Sequence, residues 1–232
     1  MKEAVVLVGG FGTRLRSVVS DMPKPMAPVA GRPFLTYVLD RLQLQGYTHV
    51  VLSTGYLHEK VEDFFVKDYR GMAIDYARET EPLGTGGAIV NALQYCKDDE
   101  LTVLNGDTLF DVDYSELSRF FHQHDTHLVV VLRRVPDAGR YGSVEVNGQG
   151  RITAFREKDP FTGPGTINGG IYQIHRRLLD GYQVGDVFSF ERDLMQCRFK
   201  EEPFYAYSAE GYFIDIGIPE DYARAQKELP VL

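Results

Sequence analysis

The chain is poor in cysteine: Cys96 and Cys197 are the only two among 232 residues. Two thiols are too few for a disulfide framework or a zinc site, so both are expected to be reduced and buried. No apolar run approaches the length of a membrane span, and the N-terminal one ends at Gly9-Gly10 without a cleavage pattern. Positive charge is in deficit, with 25 Lys and Arg against 33 Asp and Glu and a net charge of −8. A surface that tracks nucleic-acid phosphates needs the opposite balance, which argues against that partner. None of the six histidines has a neighbour suggesting a Ser-His-Asp or Cys-His constellation. There is no linker, repeat or low-complexity tract. With 44% hydrophobic and 25% charged residues, what remains is a soluble globular chain, expected in the cytoplasm.

Acidic residues are missing from one further place. Between Glu3 and Asp21 there is none, although the chain is acidic overall. This stretch opens with Ala4-Val5-Val6-Leu7-Val8, which has the length and β-branched content of a buried parallel strand. Gly9-Gly10-Phe11-Gly12-Thr13-Arg14-Leu15 follows directly, then Pro23-Lys24-Pro25-Met26. Glycines at the carboxyl end of a strand let the backbone turn sharply and approach a ligand with N–H groups directed into the gap. Arg14 and Lys24 add two fixed cations. A strand, an N–H-rich turn and two positive charges make a polyphosphate site. Neither common phosphate loop is spelled here: a P-loop needs a Gly-Lys pair, and Leu15 stands where the dinucleotide fingerprint needs its third glycine.

Hydrophobic periodicity predicts helices over 33–44, 57–66, 88–95, 114–122, 190–198 and 219–228. Strands are predicted over 49–53, 72–76, 101–104, 128–132, 143–146, 151–155, 168–175 and 204–207. Asn147-Gly148-Gln149-Gly150 reads as a hairpin turn. Strand–helix alternation in the first half implies an α/β fold with a doubly wound, mostly parallel sheet, whose ligands sit at the carboxyl ends of the strands.

The segments 7–15 and 23–26 resemble the signature of the sugar-1-phosphate nucleotidyltransferase family, which reads roughly L-x-G-G-x-G-T-R-L and then P-K-P. The likeness recurs in order at Pro82-Leu83-Gly84-Thr85-Gly86-Gly87-Ala88, Arg140-Tyr141-Gly142-Ser143-Val144, Ile167-Asn168-Gly169-Gly170-Ile171-Tyr172, Phe188-Ser189-Phe190-Glu191 and Tyr212-Phe213-Ile214-Asp215-Ile216-Gly217. Jointly these segments are most similar to the branch that transfers GMP from GTP to a heptose 1-phosphate. Branches using mannose 1-phosphate with GTP, or N-acetylmuramate 1-phosphate with UTP, remain open, as does an inactive regulatory relative that only binds such ligands. The resemblance implies a Rossmann-like domain over 1–232, with a nucleotide-binding half at roughly 1–125 and a sugar-binding half at 126–232. The added C-terminal domain of some relatives is not expected, because the chain stops soon after Asp215. The implied reaction is in-line attack of a sugar phosphate on the α-phosphorus of a nucleoside triphosphate, releasing pyrophosphate, with Mg²⁺ as cofactor. The sugar phosphate is largely a dianion near neutral pH and needs no general base, so cations carry the catalysis.

By this resemblance the nucleotide falls to Leu7, Val8, Gly9, Gly10, Gly12, Thr13, Arg14, Lys24, Glu79, Gly84, Thr85, Asn105 and Gly106. Arg14 would hold the β- and γ-phosphates and Lys24 the α-phosphate; with Asp107 they form the catalytic set. Asp107 and Asp215 are the implied metal ligands. Each ends a short strand-like segment, and magnesium takes few protein carboxylates, filling its other positions with phosphate and water. Gly84 would let the backbone lie against the base and Thr85 would add a hydroxyl contact. Glu79 accepts hydrogen bonds but cannot donate, which suits the N–H groups of guanine; it reads also as the cap of the following turn. The sugar phosphate falls to Tyr141, Gly142, Glu157, Lys158, Asn168 and Gly169, with Asp159 interrupting the usual E-K-P. The segment 188–191 reads equally as a helix start with Ser189 as N-cap. Asp111 and Asp113 lack the glycine and terminal glutamate of a calcium loop; they are expected to cap the helix from 114, Asp113 being the better N-cap.

Overall fold

The computed structural model describes residues 2–10, 19, 21–139, 141, 143–156 and 163–231. Its strands are β1 (Glu3–Leu7), β2 (Pro28–Val29), β3 (Arg32–Pro33), β4 (His49–Thr54), β5 (Asp68–Tyr69), β6 (Met72–Arg78), β7 (Glu100–Asn105), β8 (Thr108–Phe110), β9 (Leu128–Val135), β10 (Ser143–Val146), β11 (Ile152–Arg156), β12 (Gly165–His175), β13 (Tyr205–Ala209) and β14 (Phe213–Asp215). The helices are α1 (Phe34–Leu44), α2 (His58–Phe65), α3 (Gly84–Ala92), α4 (Tyr114–His122), α5 (Gln196–Arg198) and α6 (Pro219–Glu228).

A ten-stranded sheet runs β11-β10-β12-β7-β1-β4-β6-β5, with β9 beside β12 and β13 beside β9. Around β1 the sheet is parallel: β7, β1, β4 and β6 all run one way. The second half joins antiparallel through β12, which pairs with β7 and β9. In β1, Ala4 and Val6 face one core while Val5 faces the other, the period-two alternation of a strand covered on both sides. Phe34, Leu35, Leu39 and Leu42 of α1 fill the first core together with Ile214 and Ala225, and α3 with Phe190 and Leu194 fills the second. This two-sided cover is the doubly wound arrangement that the alternation of elements implies.

Helix α4 is capped as its sequence indicates: the Asp113 carboxylate accepts from the N–H groups of Ser115 and Glu116 at 2.8 and 3.1 Å. Asp111 does not share that role, because it pairs with Arg41 at 3.2 Å. Two other expectations need correction. Helix α3 begins at Gly84, four residues before the predicted start, where Gly84 itself has φ +72°. Glycines are poor helix formers, costing about 1 kcal/mol each relative to alanine. Here they are required by packing: a Cβ on Gly84 would stand 2.5 Å from the Phe188 carbonyl oxygen. The segment 190–198 is helical, but its first part, Phe190–Met195, is a π-helix. Leu194 and Met195 take the buried positions there and turn Cys197 outward, so only Cys96 is a buried thiol. Among the described residues no helix is long and apolar enough to cross a membrane.

Candidate active site

A cleft of about 490 Å³ opens at the carboxyl ends of β1, β6 and β7. In parallel sheets this is where strand order reverses and ligands bind. Leu7, Val8, Gly9, Gly10, Lys24, Glu79, Gly84, Thr85, Asn105, Asp107 and Asp215 all line it. Residues distant in sequence thus meet at one place. Gly106 lies beneath rather than in the lining: its N–H donates to the Leu7 carbonyl at 2.9 Å and ties the end of β7 to β1. Gly12, Thr13, Arg14, Gly142, Glu157 and Lys158 lie outside the described residues.

Lys24 is set by the chain around it. It opens a single 3₁₀ turn, Lys24–Met26, whose Pro25 and Met26 are buried and fix the turn against the core. Its ammonium sits 2.6 Å from Asp107 Oδ2 and 3.2 Å from Asp215 Oδ1. The two acids come from the middle and the C-terminal part of the sequence and meet through a small separate sheet, in which β8 pairs antiparallel with β14. Thr108 lies opposite Asp215, and the Ile216 N–H donates to the Asp107 carbonyl at 3.1 Å. The Gly217 N–H fixes the Asp215 carboxylate at 2.7 Å. Burial and the neighbouring charge of Asp107 push Asp215 above the usual aspartate value, against the pull of Lys24. Burial draws Lys24 downward, yet the two carboxylates outweigh it and hold the ammonium above the ordinary lysine value. Among the described residues no group of three or more His, Cys, Asp or Glu side chains could hold a metal. The pair itself, already bridged by one cation, suits a hard divalent ion that keeps phosphate and water as its other ligands.

On the other wall stands Glu79, which caps the following turn as its sequence position suggests. It lines the cleft, and its carboxylate accepts from the Leu83 N–H at 3.0 Å and from Ser53 Oγ at 3.3 Å. Burial pushes its carboxyl above the usual range, opposed by those two hydrogen bonds. Gly9 approaches it so closely that a Cβ there would lie 2.6 Å from Glu79 Oε1.

Four of the sequence-assigned positions carry contacts within the protein itself. Thr85 Oγ1 is committed inside the protein: it donates to Glu191 Oε2 at 2.7 Å and accepts from the Phe190 N–H at 2.8 Å. Cβ atoms on Gly84, Gly86 and Gly87 would collide with Phe188 or Asp186, so these glycines permit the close approach of the segment 186–188, while Gly84 also lines the cleft. On the sugar side, Asn168 is equally engaged. Its Oδ1 accepts from the Gly170 N–H at 2.9 Å and its Nδ2 donates to Tyr172 OH at 2.8 Å. Both contacts arise at a register break in β12 between Asn168 and Tyr172, a bulge that re-aims side chains. Gly169 is buried, with a Cβ position 2.7 Å from the Phe110 ring, so it packs rather than lines. The Tyr141 ring lies 6.4 Å from that of Phe213, on the strand that carries Asp215.

Sequence reasoning missed Pro25, Pro82, Ala88, Thr108 and Gly217 in the lining. Each stands within a few residues of a recognised charge or turn, a proximity that was the available signal. It also missed the part played by Glu191 and Tyr172.

The arrangement is that of an α/β nucleotidyltransferase. A nucleotidyl transferase family model matches residues 3–230, and the chain belongs to that family. It is 45% identical over 230 residues to the D-glycero-alpha-D-manno-heptose 1-phosphate guanylyltransferase of Aneurinibacillus thermoaerophilus, covering 98% of both chains. A protein of the same name from Campylobacter jejuni is 41% identical over 95% of this chain and 96% of its own. The crystal structure of HddC from Yersinia pseudotuberculosis complexed with GMP-PN superposes with a TM-score of 0.88 at 38% identity, covering 99% of this chain and 100% of that one. The protein is therefore an enzyme of the sugar-phosphate nucleotidyltransferase kind.

Proposed function

We propose that this enzyme transfers GMP from GTP to D-glycero-α-D-manno-heptose 1-phosphate, giving GDP-heptose and pyrophosphate. The observation that carries the reading is full-length identity of 45% and 41% to two heptose 1-phosphate guanylyltransferases. The cleft is consistent with it: Glu79 offers an acceptor-only edge to the N–H groups of guanine, across from Lys24 and the Asp107–Asp215 pair. In this reading residues 1–125 bind the nucleotide and 126–232 the sugar phosphate.

The sugar phosphate attacks as a dianion, so the chain's task is to bring two anions together and stabilise the charge that builds on the leaving pyrophosphate. The turn at Gly9-Gly10 presents backbone N–H groups to the triphosphate. Lys24 leaves the acid pair for the α-phosphate, and Arg14 holds the β- and γ-phosphates. Asp107 and Asp215 would hold a divalent cation, Mg²⁺, which would supply positive charge at the phosphates when bound. Glu157 and Lys158 bind the sugar hydroxyls and its phosphate.

A mannose 1-phosphate substrate is favoured less. The mannose-1-phosphate guanylyltransferase of Mycobacterium tuberculosis is 37% identical, and the chain spans only 64% of that protein's length. The deciding experiment is Mg²⁺-dependent pyrophosphate release across GTP, UTP, CTP, ATP and dTTP against heptose, mannose, glucose and N-acetylmuramate 1-phosphates. A dominant signal for GTP with heptose 1-phosphate is expected. A dominant signal elsewhere overturns the substrate assignment, and silence with retained nucleotide binding overturns the assignment of activity.

A further inference from the structure

Glu191 is half-buried, and no cation among the described residues pairs with it. Hydroxyl donors surround its carboxylate instead: Thr85 Oγ1 at 2.7 Å and Ser189 Oγ at 3.2 Å on Oε2, and Tyr172 OH at 2.9 Å on Oε1. These donors belong to elements far apart in the sequence, and only Thr85 lines the cleft itself. Thr85 stands in the first turn of α3, on the nucleotide side. Tyr172 lies in β12, fully buried, and its oxygen accepts from Asn168 Nδ2 at 2.8 Å. Asn168 in turn accepts from the Gly170 N–H at the bulge. An unbroken chain of hydrogen bonds thus runs from the helix beside the base to the strand assigned to the sugar. Burial, and then the Glu191 charge, hold the Tyr172 hydroxyl well above the usual tyrosine value, so it stays a donor.

The backbone supports the same link. The Phe188 N–H donates to the Leu83 carbonyl at 3.0 Å, and the Gly86 N–H donates to the Phe188 carbonyl at 3.0 Å. The Phe190 N–H holds Thr85 Oγ1 from the other side. A solvated glutamate at a helix start needs none of this. A carboxylate that collects hydroxyls from two separate elements, α3 and β12, costs desolvation, and the hydrogen bonds that offset it fix the two elements at one spacing.

We propose that Glu191 is a positioning residue, whose carboxylate joins Thr85 to Tyr172 and so fixes the nucleotide side and the sugar side of the cleft at one spacing. This rests on the assignment of the two walls under the proposed function. Glu191 then governs how well two bound substrates align, by acting through Thr85 and Asn168.

The test uses the full-length protein with three variants: Tyr172→Phe, Thr85→Val and Glu191→Gln. Phenylalanine cuts only the sugar arm and valine only the nucleotide arm. Glutamine keeps the shape but exchanges one acceptor oxygen for an NH2 donor, so the hydroxyls on that side lose their acceptor and the affected arm should show its own shift, in GTP Kd or in sugar-phosphate KM. For each, GTP Kd is read by calorimetry, KM for heptose 1-phosphate and kcat by pyrophosphate release, and Tm by thermal unfolding. Tyr172→Phe removes both the bond to Glu191 and the acceptor of Asn168 Nδ2, and should raise the sugar-phosphate KM by about tenfold or more, with GTP Kd unchanged. Thr85→Val should raise GTP Kd with little change in sugar KM, and the double variant should lose less than the sum of the singles. A lower Tm with Kd and KM unchanged, or strictly additive losses, overturns the proposal and leaves Glu191 structural. If the wild-type protein binds GTP but turns over no sugar phosphate, the functional reading falls and the proposal with it.

Discussion

Lys24 Nζ lies 2.6 Å from Asp107 Oδ2, so the cation assigned to the triphosphate is held by an acid assigned to the metal. Asp215 Oδ1, at 3.2 Å, completes the grip. An ammonium and a divalent ion compete for the same oxygens, and each can be at full strength only when the other has moved.

The first prediction follows from that competition. Lys24→Met should bind Mn²⁺ more tightly than wild type without nucleotide, by about tenfold for each 1.4 kcal/mol of lost competition. Electron paramagnetic resonance of free Mn²⁺ reads this directly. Turnover should fall by about 10²–10³, as for loss of one group that stabilises developing charge. Equal Mn²⁺ affinity in the two proteins would refute the competition, and removal of divalent ions with EDTA should stop pyrophosphate release in wild type.

The second concerns pH at Glu79. Its folded-state carboxyl is raised by burial, despite the Leu83 and Ser53 hydrogen bonds. Below the ordinary glutamate value it is neutral in both folded and unfolded chains. As pH rises through the folded value, the folded state has to carry a buried charge and loses stability. Glu79→Gln should therefore be more stable than wild type at neutral pH, with the difference closing as pH falls below the ordinary range. The same variant should weaken GTP binding and flatten its acid dependence. Parallel Tm–pH curves would refute the assignment.

A third prediction has the opposite sign. Glu3 is buried at the start of β1, where it accepts from the N–H groups of Lys97 and Asp98 at 2.7 and 2.6 Å and contacts His49 Nδ1 at 2.7 Å. Burial pushes its carboxyl up, but these hydrogen bonds outweigh it and hold it below the usual range. Its stabilisation is present above the unfolded value and lost as pH falls through the folded one. Glu3→Gln should lose about 1.5–3 kcal/mol at pH 7, with the loss shrinking in acid, while kcat stays unchanged. Urea titrations at several pH values measure it.

Fourth, Gly87→Ala should destabilise by about 1–3 kcal/mol and weaken GTP binding, because the new Cβ meets the rigid Asp186 carbonyl. Gly86→Ala meets the Phe188 ring instead, whose tip can shift, and should cost less. The ordering of the two melting temperatures is the check.

The chain's local signals made much of this legible. The apolar run before Gly9 is strand β1, the spacing from Phe34 to Leu42 is α1, and Pro219 with two following acids opens α6. Charged residues at strand ends, Asp107 and Asp215, do converge. What sequence could not display is contact across long separations. Thr85 looks free in the chain because its partner, Glu191, stands 106 positions away. Asn168 looks like an open amide because the register break that turns it onto Gly170 is decided by how β12 straddles β7 and β9. The packing of Gly84, Gly86 and Gly87 against residues 186–188 is likewise invisible in the sequence, because those segments lie about a hundred positions apart.

The antiparallel pairing of β8 with β14 has a consequence for biosynthesis. During translation the glycine turn, Lys24 and Asp107 leave the ribosome long before Asp215 does. Until β14 docks, Asp107 lacks its companion, and the acid pair does not exist. Ile214 of the same strand and Ala225 after it also complete the first core, so the acid pair and the packing beneath the cleft are finished together, by the last part of the chain to be made.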